Sequence, residues 1–518
     1  MSGPAYDLYK KARNRIRALE PQRLIGMAIT ALHKVTAEGV PAMAKFQPWN
    51  VLLLIKWVAQ EADATAHRRP QPSNKDFNLL LNLLDELENA VPMATDHDHW
   101  IFFLRKLSFQ QFGLQYGADG AAVARQLSLF QALPTNHRLQ GEFRKISGIS
   151  IEDFCVFSMV LMFLVMQNTS ARLILPQELR NLETDSEPGT VDRFLRFLSK
   201  SLPELHNWLD GEEFRSQSIP DQRILPSPLL DAPLLTIAPD QFCIYYQPLL
   251  IRCLEQGVYR NLRRADSSAF GNEFGPLFEK YARKCLDSAD VKYLDEKALQ
   301  KRLTGTGECV DFLVVEDNCN VLIDAKAVEM SPLGRLSHDA EQLSKAVSAS
   351  VKAMGQGMAT LLRIRELPPD STSAFGHEES FIIIVTYDDL YLGSPHYFGE
   401  VFADTIQQRL EKKYGSPLPI PFTNMFLLTI GDLEVLLELV REGKTTFVAA
   451  LRHARAQDSA IETRKFQFGQ HFASLAIPTD RLPVVKEGIE RVSRLTEQRI
   501  KSWEARRKAD TSSPHVSP

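Results

Sequence analysis

Two aspartates and one lysine stand in short apolar segments that follow one another in the chain. Asp311 begins the run 311–315, and Asp324 and Lys326 lie at the end of the run 321–326. Aspartate and lysine are rarely buried in apolar strands unless they are paired or bind a metal. Carboxylates on adjacent strands can hold Mg²⁺, and a nearby lysine can help to generate a hydroxide nucleophile. These residue types together indicate metal-dependent hydrolysis of a phosphodiester.

The spacing within the second segment favours a shared site. Residues two apart on a strand point to the same face, so Asp324 and Lys326 converge while Ala325 points away. The polar residues 316–320 between the two segments predict a hairpin turn. Symmetric pairing around this turn places Asp311 opposite Ala325, so a bulge or a one-residue offset is needed to bring the aspartates to one face. The sequence leaves that register open.

The triplet Asp/Glu-x-Lys by itself is not specific. It also occurs at 290–292, 295–297, 411–413 and 442–444, where the neighbouring residues indicate solvated helix faces or turns. The triplet 324–326 differs because it ends an unbroken apolar run and follows a second segment of the same kind. The alternative interpretation is a surface hairpin whose charges face water.

The hairpin and the helix predicted before it resemble the PD-(D/E)XK nuclease superfamily, over residues 265–445. The predicted helix 270–286 has one apolar stripe and carries Glu279 in a Gly-x-x-Phe-Glu pattern similar to that of the family. Valine precedes Asp311 where the family name has proline, and many members of the family lack that proline. The resemblance implies a restriction-endonuclease-like α/β nuclease domain.

The resemblance also implies a role for each matching residue. Asp311, Asp324 and the backbone carbonyl of Ala325 would bind one or two Mg²⁺ ions, with Mn²⁺ as a substitute. Glu279 would complete the metal site, and Glu273 on the same helix is the alternative. Lys326 would orient or deprotonate the attacking water, or stabilise charge on the phosphate in the transition state.

The elements predicted after the hairpin alternate between helix and strand, which is typical of an α/β sandwich. They are a helix at 336–358, a strand at 380–386, a helix at 397–414, a strand at 426–430 and a helix at 433–442. Some relatives place a side chain from the first of these helices in the site, which makes Gln342 and Lys345 weaker candidates. An amphipathic surface turn is the favoured interpretation of both.

The first 225 residues predict a large all-α domain with a recognition or regulatory role. Its helical patterns lie at 24–37, 49–61, 77–90, 99–112, 121–132, 151–167 and 191–208. Residues 226–460 form the predicted nuclease domain, with 234–264 as its leading strand and helix. Residues 461–518 are predicted to be a charged helical extension that ends in a disordered tail.

Composition limits the class of protein. The chain has 518 residues, 44% hydrophobic and 24% charged, with a formal net charge of −4, which excludes a globally basic nucleic-acid binder. Attraction to phosphate would then come from local basic patches at 9–17, 259–264 or 452–455. Each is more typical of a solvated helix face. A possible metal pair, His97 and His99, is likewise more typical of a capped turn.

Further features favour a cytoplasmic protein without a membrane segment. The six cysteines show no metal-ligand spacing and indicate free thiols in a reducing compartment. No signal peptide is predicted at the start of the chain. The longest apolar run, 156–166, is too short to span a bilayer, which needs about 20 residues.

The leading hypothesis is a Mg²⁺-dependent endonuclease that acts on nucleic acid, DNA rather than RNA, as a restriction or anti-phage defence effector. The defence role follows from family analogy alone. The alternatives are a catalytically silent nuclease-fold scaffold or regulatory subunit, and an RNA endonuclease that cuts tRNA. The helical domain could bind a protein partner or a second copy of the chain.

Overall fold

The structure is a computed structural model, and it describes residues 4–38, 47–63, 66–90, 100–115, 117–131, 133–134, 136–168, 172–303, 307–372 and 374–512. The histidines at 97 and 99 lie outside these ranges. The chain divides into two compact units. The helical unit comprises 1–93, 107–267 and 488–518, and the α/β unit comprises 94–106 and 268–487.

The helical unit is built mostly from helices, as the sequence predicts. They are α1 (Pro4–Arg17), α2 (Pro21–Glu38), α3 (Pro48–Gln60), α4 (Asn74–Ala90), the last part of α5 (Trp100–Gln111), α6 (Gly120–Gln131), α7 (Arg138–Ser147), α8 (Ile151–Gln167), α9 (Gln177–Arg180), α10 (Thr190–Phe197), α11 (Leu202–Leu209), α12 (Glu212–Arg215), α13 (Ile219–Ile224), α14 (Gln247–Ala265) and most of α26 (Pro483–Ser512).

Four short strands also form a sheet in the helical unit, so its predicted all-α character is corrected. They are β1 (Leu173–Ile174), β2 (Ser199–Ser201), β3 (Leu234–Ala238) and β4 (Gln241–Ile244), in the order β1-β4-β3-β2. β2 pairs in parallel with β3, and β1 pairs antiparallel with β4. β3 and β4 form a hairpin, and β3 is the strand predicted at the start of 234–264. The partners of β1 and β2 are distant in sequence, so local periodicity does not reveal these two strands.

The helix predicted at 191–208 is interrupted by β2. The backbone N–H and the hydroxyl of Ser201 both donate to Glu204 Oε2 at 2.7 Å, and Pro203 lies in the first turn of α11. This capping box starts a new helix, so the chain cannot continue as one. The signal Ser-x-Pro-Glu is present in the sequence.

The predicted domain boundary at 225/226 is also corrected. β3, β4 and α14 were expected to lead the nuclease domain, yet they belong to the helical unit. Gln126 donates from Nε2 to the Leu254 carbonyl at 2.9 Å, and its Oε1 accepts from the Val258 N–H at 2.8 Å. A Cβ at Gly257 would lie 2.4 Å from the ring of Phe154, so α14 approaches α8 closely.

The predicted third segment, 461–518, is divided between the two units. Residues 461–487 belong to the α/β unit and 488–512 to the helical unit, where Arg499 Nη2 donates to Asp153 Oδ1 at 2.7 Å. Helix α26 continues to Ser512, so the first residues of the predicted disordered tail are helical. The last six residues, 513–518, lie outside the described ranges.

The α/β unit contains the predicted hairpin and the strands and helices expected after it. Its strands are β5 (Tyr293–Asp295), β6 (Phe312–Glu316), β7 (Cys319–Lys326), β8 (Glu379–Thr386) and β9 (Met425–Thr429). Its helices are α15 (Ser267–Ser288), α16 (Glu296–Arg302), α17 (Pro332–Leu336), α18 (Ala340–Ala346), α19 (Ser348–Arg365), α20 (Pro369–Thr372), α21 (Pro395–Phe402), α22 (Gln408–Tyr414), α23 (Ile430–Arg441), α24 (Phe447–Ser459) and α25 (Phe472–Leu475).

The five strands of the α/β unit form one mixed sheet in the order β5-β6-β7-β8-β9. β5, β6 and β7 are antiparallel neighbours, whereas β7, β8 and β9 are parallel. Residues of β8 from Phe381 to Val385 are fully buried, which explains their unbroken apolar run. Helix α19 packs against β7 and β8, and a Cβ at Gly357 would lie 2.7 Å from Ile382 Cδ1.

Two predicted helices of this unit are divided in the structure. The helix expected at 336–358 comprises the end of α17, then α18, and then the start of α19. The helix expected at 397–414 is interrupted by a π-helical turn at Ala403–Gln407, between α21 and α22. Such turns insert one extra residue into the helical ladder without ending the helical course of the chain.

Among the described residues, no single helix combines the length and apolar composition that a membrane crossing requires. Helices α7 and α8 meet that requirement only together, and they are bent by 55° relative to each other. The six cysteines form no disulfide bonds among themselves, and five of them are buried. Burial raises the pKa of Cys253 to about 12.

A two-residue turn joins β6 to β7. Asp317 and Asn318 both have positive φ, 47° and 58°, and Glu316 pairs with Cys319 across the turn. Positive φ at both central positions is typical of a type I′ turn, which matches the twist of the two strands. The turn is therefore shorter than the five polar residues suggest, because three of them belong to the strands.

This turn leads to the first prediction. Replacing Asp317 with Val should lower the free energy of unfolding by about 1–2 kcal/mol, because a β-branched side chain is strained at positive φ. Asp317→Gly keeps the backbone conformation and serves as the matched control. Urea denaturation of both variants gives the comparison. Equal stability of the two would show that the turn conformation does not hold the hairpin.

Candidate active site

The register of the hairpin decides which residues meet at its open end. Phe312 pairs with Ile323, and the pairs run without interruption from there to the turn. Continuing this register by one position sets Asp311, which lies just before β6, against Asp324. Of the two devices that the sequence leaves open, the structure uses the one-residue offset, and the described ladder from Phe312 to Glu316 contains no bulge. Opposed residues of an antiparallel pair share a face.

A backbone hydrogen bond fixes the first carboxylate at this position. The Ala325 N–H donates to Asp311 Oδ2 at 2.7 Å, and the Asp311 carbonyl accepts from the Glu296 N–H at 3.0 Å. Asp311 is thus held from both neighbouring strands, β7 and the end of β5. The role predicted for the Ala325 carbonyl stays a prediction, since it is the amide of Ala325 that contacts Asp311.

The second carboxylate is buried beside the lysine. Asp324 is completely inaccessible to solvent, and the Lys326 ammonium forms an ion pair with Asp324 Oδ1 while 22% of the lysine side chain remains exposed. The same-face convergence of positions 324 and 326 is therefore confirmed. On the other side of β7, the neighbouring strand β8 pairs Ile384 with Asp324 and Thr386 with Lys326.

The surroundings of both carboxyl groups disfavour their charged forms. Burial raises the pKa of Asp311, and the charge of Asp324 raises it further. Burial also raises the pKa of Asp324, although the Lys326 ammonium acts in the opposite direction. Two carboxylates that share a buried site need a proton or a cation between them. One ammonium does not compensate both charges.

This arrangement fits a divalent cation in part. Both carboxylate oxygens of Asp324 are buried. In the described part of the chain, their partners are the Lys326 ammonium and the Asp311 carboxyl, and no other group donates a hydrogen bond to them. Such oxygens are the ligands that Mg²⁺ prefers. The described residues nevertheless contain no cluster of three or more His, Cys, Asp or Glu side chains placed to hold a metal. The pair supplies two ligands of a site that is not complete.

The two helix glutamates behave differently from the predicted ligands. Glu279 on α15 lies close enough for its charge to raise the pKa of both Asp311 and Asp324. Its carboxylate, however, pairs with Arg283 Nη2 at 3.2 Å. The alternative, Glu273, has one buried carboxylate oxygen and lies one and a half turns earlier on α15. The structure thus brings Asp311, Asp324 and Lys326 together, with Glu279 beside them.

The weaker candidates on α18 do not reach this group. Lys345 Nζ donates to Glu341 Oε1 at 2.9 Å, and the lysine side chain is 73% exposed. Gln342 is exposed, and its backbone N–H is capped by Asp339. Both agree with the surface interpretation that the sequence favours.

Two arginines of each basic patch form ion pairs with carboxylates within the protein. In the patch 9–17, Arg15 pairs with Asp76 and Arg17 with Glu61. In the patch 259–264, Arg260 and Arg264 both pair with Asp231, and in the patch 452–455, Arg452 and Arg455 both pair with Glu379. These six arginines take part in ion pairs within the protein, and the attraction of phosphate to the patches stays a prediction.

Two residues near the site were missed by the sequence reasoning. Arg283 donates from Nη1 to Asp295 Oδ2 at 2.8 Å, in addition to its bond with Glu279. Asp295 also caps α16 by accepting from the Ala298 N–H at 2.9 Å. The spacing of four residues between Glu279 and Arg283 was the available signal for their ion pair. The contact with Asp295 required the tertiary structure.

Comparison with known proteins adds no relative: no family model, no curated protein and no solved structure matches the chain. The resemblance to the PD-(D/E)XK superfamily is thus a prediction from the motif.

The raised pKa of Asp311 predicts a dependence of stability on pH. Its folded pKa lies above the unfolded value of about 3.9, so the stability it contributes is complete below that value and is lost as pH rises through the folded pKa. Asp311→Asn removes the charge and can keep the bond from Ala325. With EDTA present, the variant should gain about 1–2 kcal/mol relative to the wild type between pH 5 and pH 8.

Urea denaturation at the two pH values measures this difference. The wild-type curve alone is not sufficient, because burial also raises the pKa of Asp389 to about 7. The comparison with Asp311→Asn isolates the contribution of the carboxylate pair. Parallel losses of stability in both proteins would show that Asp311 is not held in an unfavourable charged state.

Proposed function

We propose that the α/β unit is a Mg²⁺-dependent nuclease that hydrolyses phosphodiester bonds of nucleic acid, with DNA favoured as the substrate. The observation that carries this proposal is the meeting of three side chains at the open end of the hairpin: the Ala325 amide beside Asp324 holds the Asp311 carboxylate, and the Lys326 ammonium pairs with Asp324. Two buried carboxylates and one amine at the end of a hairpin are what the chemistry of this reaction requires.

A divalent cation bound by Asp311 and Asp324 would neutralise both carboxylates and act as a Lewis acid toward a phosphate oxygen. Each side chain then has a defined task. The amide of Ala325 orients the Asp311 carboxylate, and Asp324 holds the Lys326 ammonium over the same face. The partly exposed ammonium can contact a water molecule or a phosphate oxygen at the edge of the sheet.

A second candidate function is a catalytically silent scaffold or regulatory subunit. The observation that favours it is that two arginines of each basic patch form ion pairs with carboxylates inside the protein. RNA remains the alternative substrate, because the same carboxylate and amine chemistry serves either backbone. A role in anti-phage defence is an analogy to other nucleases of this type.

Cleavage assays on plasmid DNA, linear DNA, single-stranded DNA and total RNA test the proposal. Purified wild-type protein should cleave at least one substrate with Mg²⁺, and EDTA should abolish the cleavage. Asp324→Asn and Lys326→Ala should each lower the rate by about 10²–10⁴-fold, the range for a positioned group in proton transfer.

The triplet Asp290-Val-Lys292 provides matched control variants, because both charged residues are exposed and lie outside the hairpin. Asp290→Asn and Lys292→Ala should each retain wild-type activity. Asparagine is chosen at position 290 because it tolerates the positive φ of 55° there. Equal cleavage by the wild type and both site variants would point to a contaminating nuclease. Absence of cleavage on every substrate would favour the scaffold.

A further inference from the structure

One guanidinium connects Glu279 to the corner where β5 meets α16. Arg283 donates two hydrogen bonds, from Nη1 to Asp295 Oδ2 at 2.8 Å and from Nη2 to Glu279 Oε1 at 3.2 Å. Its guanidinium also lies over the ring of Phe312, 5.2 Å from the ring centroid. Arg283 therefore packs on the first residue of β6, the strand that begins directly after Asp311.

The two bonds of Arg283 are unequal. Asp295 is fixed in place as the cap of α16, and its bond to the guanidinium is the main cause that raises the pKa of Arg283. Glu279 makes the longer bond, its side chain is 35% exposed, and in the described part of the chain its carboxylate accepts no other hydrogen bond. Glu279 can therefore change partner while Asp295 keeps the guanidinium where it is.

Glu279 is also the acid that the cation site lacks. Burial is the main cause that raises the pKa of both Asp311 and Asp324, and the charge of Glu279 adds to it in the same direction. They do not form a three-ligand cluster, because Glu279 is directed to Arg283. A guanidinium that loses one carboxylate retains donors in the geometry that binds a phosphate oxygen.

We propose that Arg283 is a positioning residue that holds Glu279 away from the cation site until a phosphate oxygen of the nucleic acid replaces Glu279 on Nη2. The inference rests on the proposed function and specifies how its site is regulated. After the exchange, Glu279 joins Asp311 and Asp324, and Asp295 keeps the guanidinium beside the phosphate. Binding of the cation and binding of nucleic acid are then coupled, and such coupling is reciprocal.

Titration of the full-length protein with Mn²⁺, followed by calorimetry, tests the first half of this proposal without any cleavage. Arg283→Gln should bind Mn²⁺ about fivefold more tightly than the wild type or better, because Glu279 is released and a cation is removed from the site. Lys284→Gln removes the same charge from an exposed position one residue further along α15. This matched control should stay within about twofold of the wild type, because exposed charges are well screened.

A phosphorothioate-substituted DNA duplex that resists cleavage tests the second half. Adding the duplex should tighten Mn²⁺ binding by the wild type about fivefold or more, and by Arg283→Gln much less. Glu279→Gln removes an anion near the site, so it should bind Mn²⁺ no more tightly than the wild type when no duplex is present, and it should lose most of the gain when the duplex is added. Circular dichroism confirms that each variant is folded.

The results separate the inference from the proposed function. Mn²⁺ binding by Arg283→Gln that is equal to or weaker than that of Lys284→Gln would overturn the role of Arg283, and so would an unchanged gain from the duplex in Glu279→Gln. If the wild type binds no Mn²⁺, or if Asp324→Asn binds it equally well, the proposed cation site itself fails, and the inference fails with it.

Discussion

Two carboxylates face each other at the open end of a buried hairpin, and one ammonium is the cation nearest to them. Burial raises the pKa of both Asp311 and Asp324, so the two carboxyl groups do not both carry a charge there unless a cation lies between them. Without a cation, one of them keeps its proton. Lys326 pairs with one of them. The neighbouring structure is arranged around this electrostatic constraint: the two-residue turn sets the opposition, and the Ala325 amide orients one of the acids.

Most of the arginines in the basic patches form ion pairs within the protein. The arginines that look most available for a polyanion in the sequence are paired with carboxylates, two of them with Asp231 and two with Glu379. The lysines of α15 and α16 remain exposed, at positions 280, 284, 297 and 301. These lysines lie on the two helices that Arg283 and Asp295 connect. If nucleic acid binds the α/β unit, they are available to contact its phosphates. A net charge of −4 then matters less than the distribution of charge.

Helix and strand patterns of the α/β unit follow from local rules. Strand β8 is a continuous apolar run, and α15 has a single apolar stripe, so their existence is clear from residue order. Of the sheet in the helical unit, only β3 was predicted; β1 and β2 are two and three residues long and pair with partners distant in sequence. Domain boundaries failed for the same reason: Gln126 and Phe154 attach α14 to the helical unit, and no local signal reports such contacts.

Residue order alone determined which side chains alternate on a strand and that Asp324 and Lys326 share a face, because both follow from the period of the pleat. Tertiary structure decided everything that depends on distance between elements. It selected the register that opposes Asp311 to Asp324, and it directed Glu279 to Arg283 rather than to the carboxylate pair. The physical reason is that register and ion pairing depend on how separate elements pack, and packing is a property of the whole folded chain.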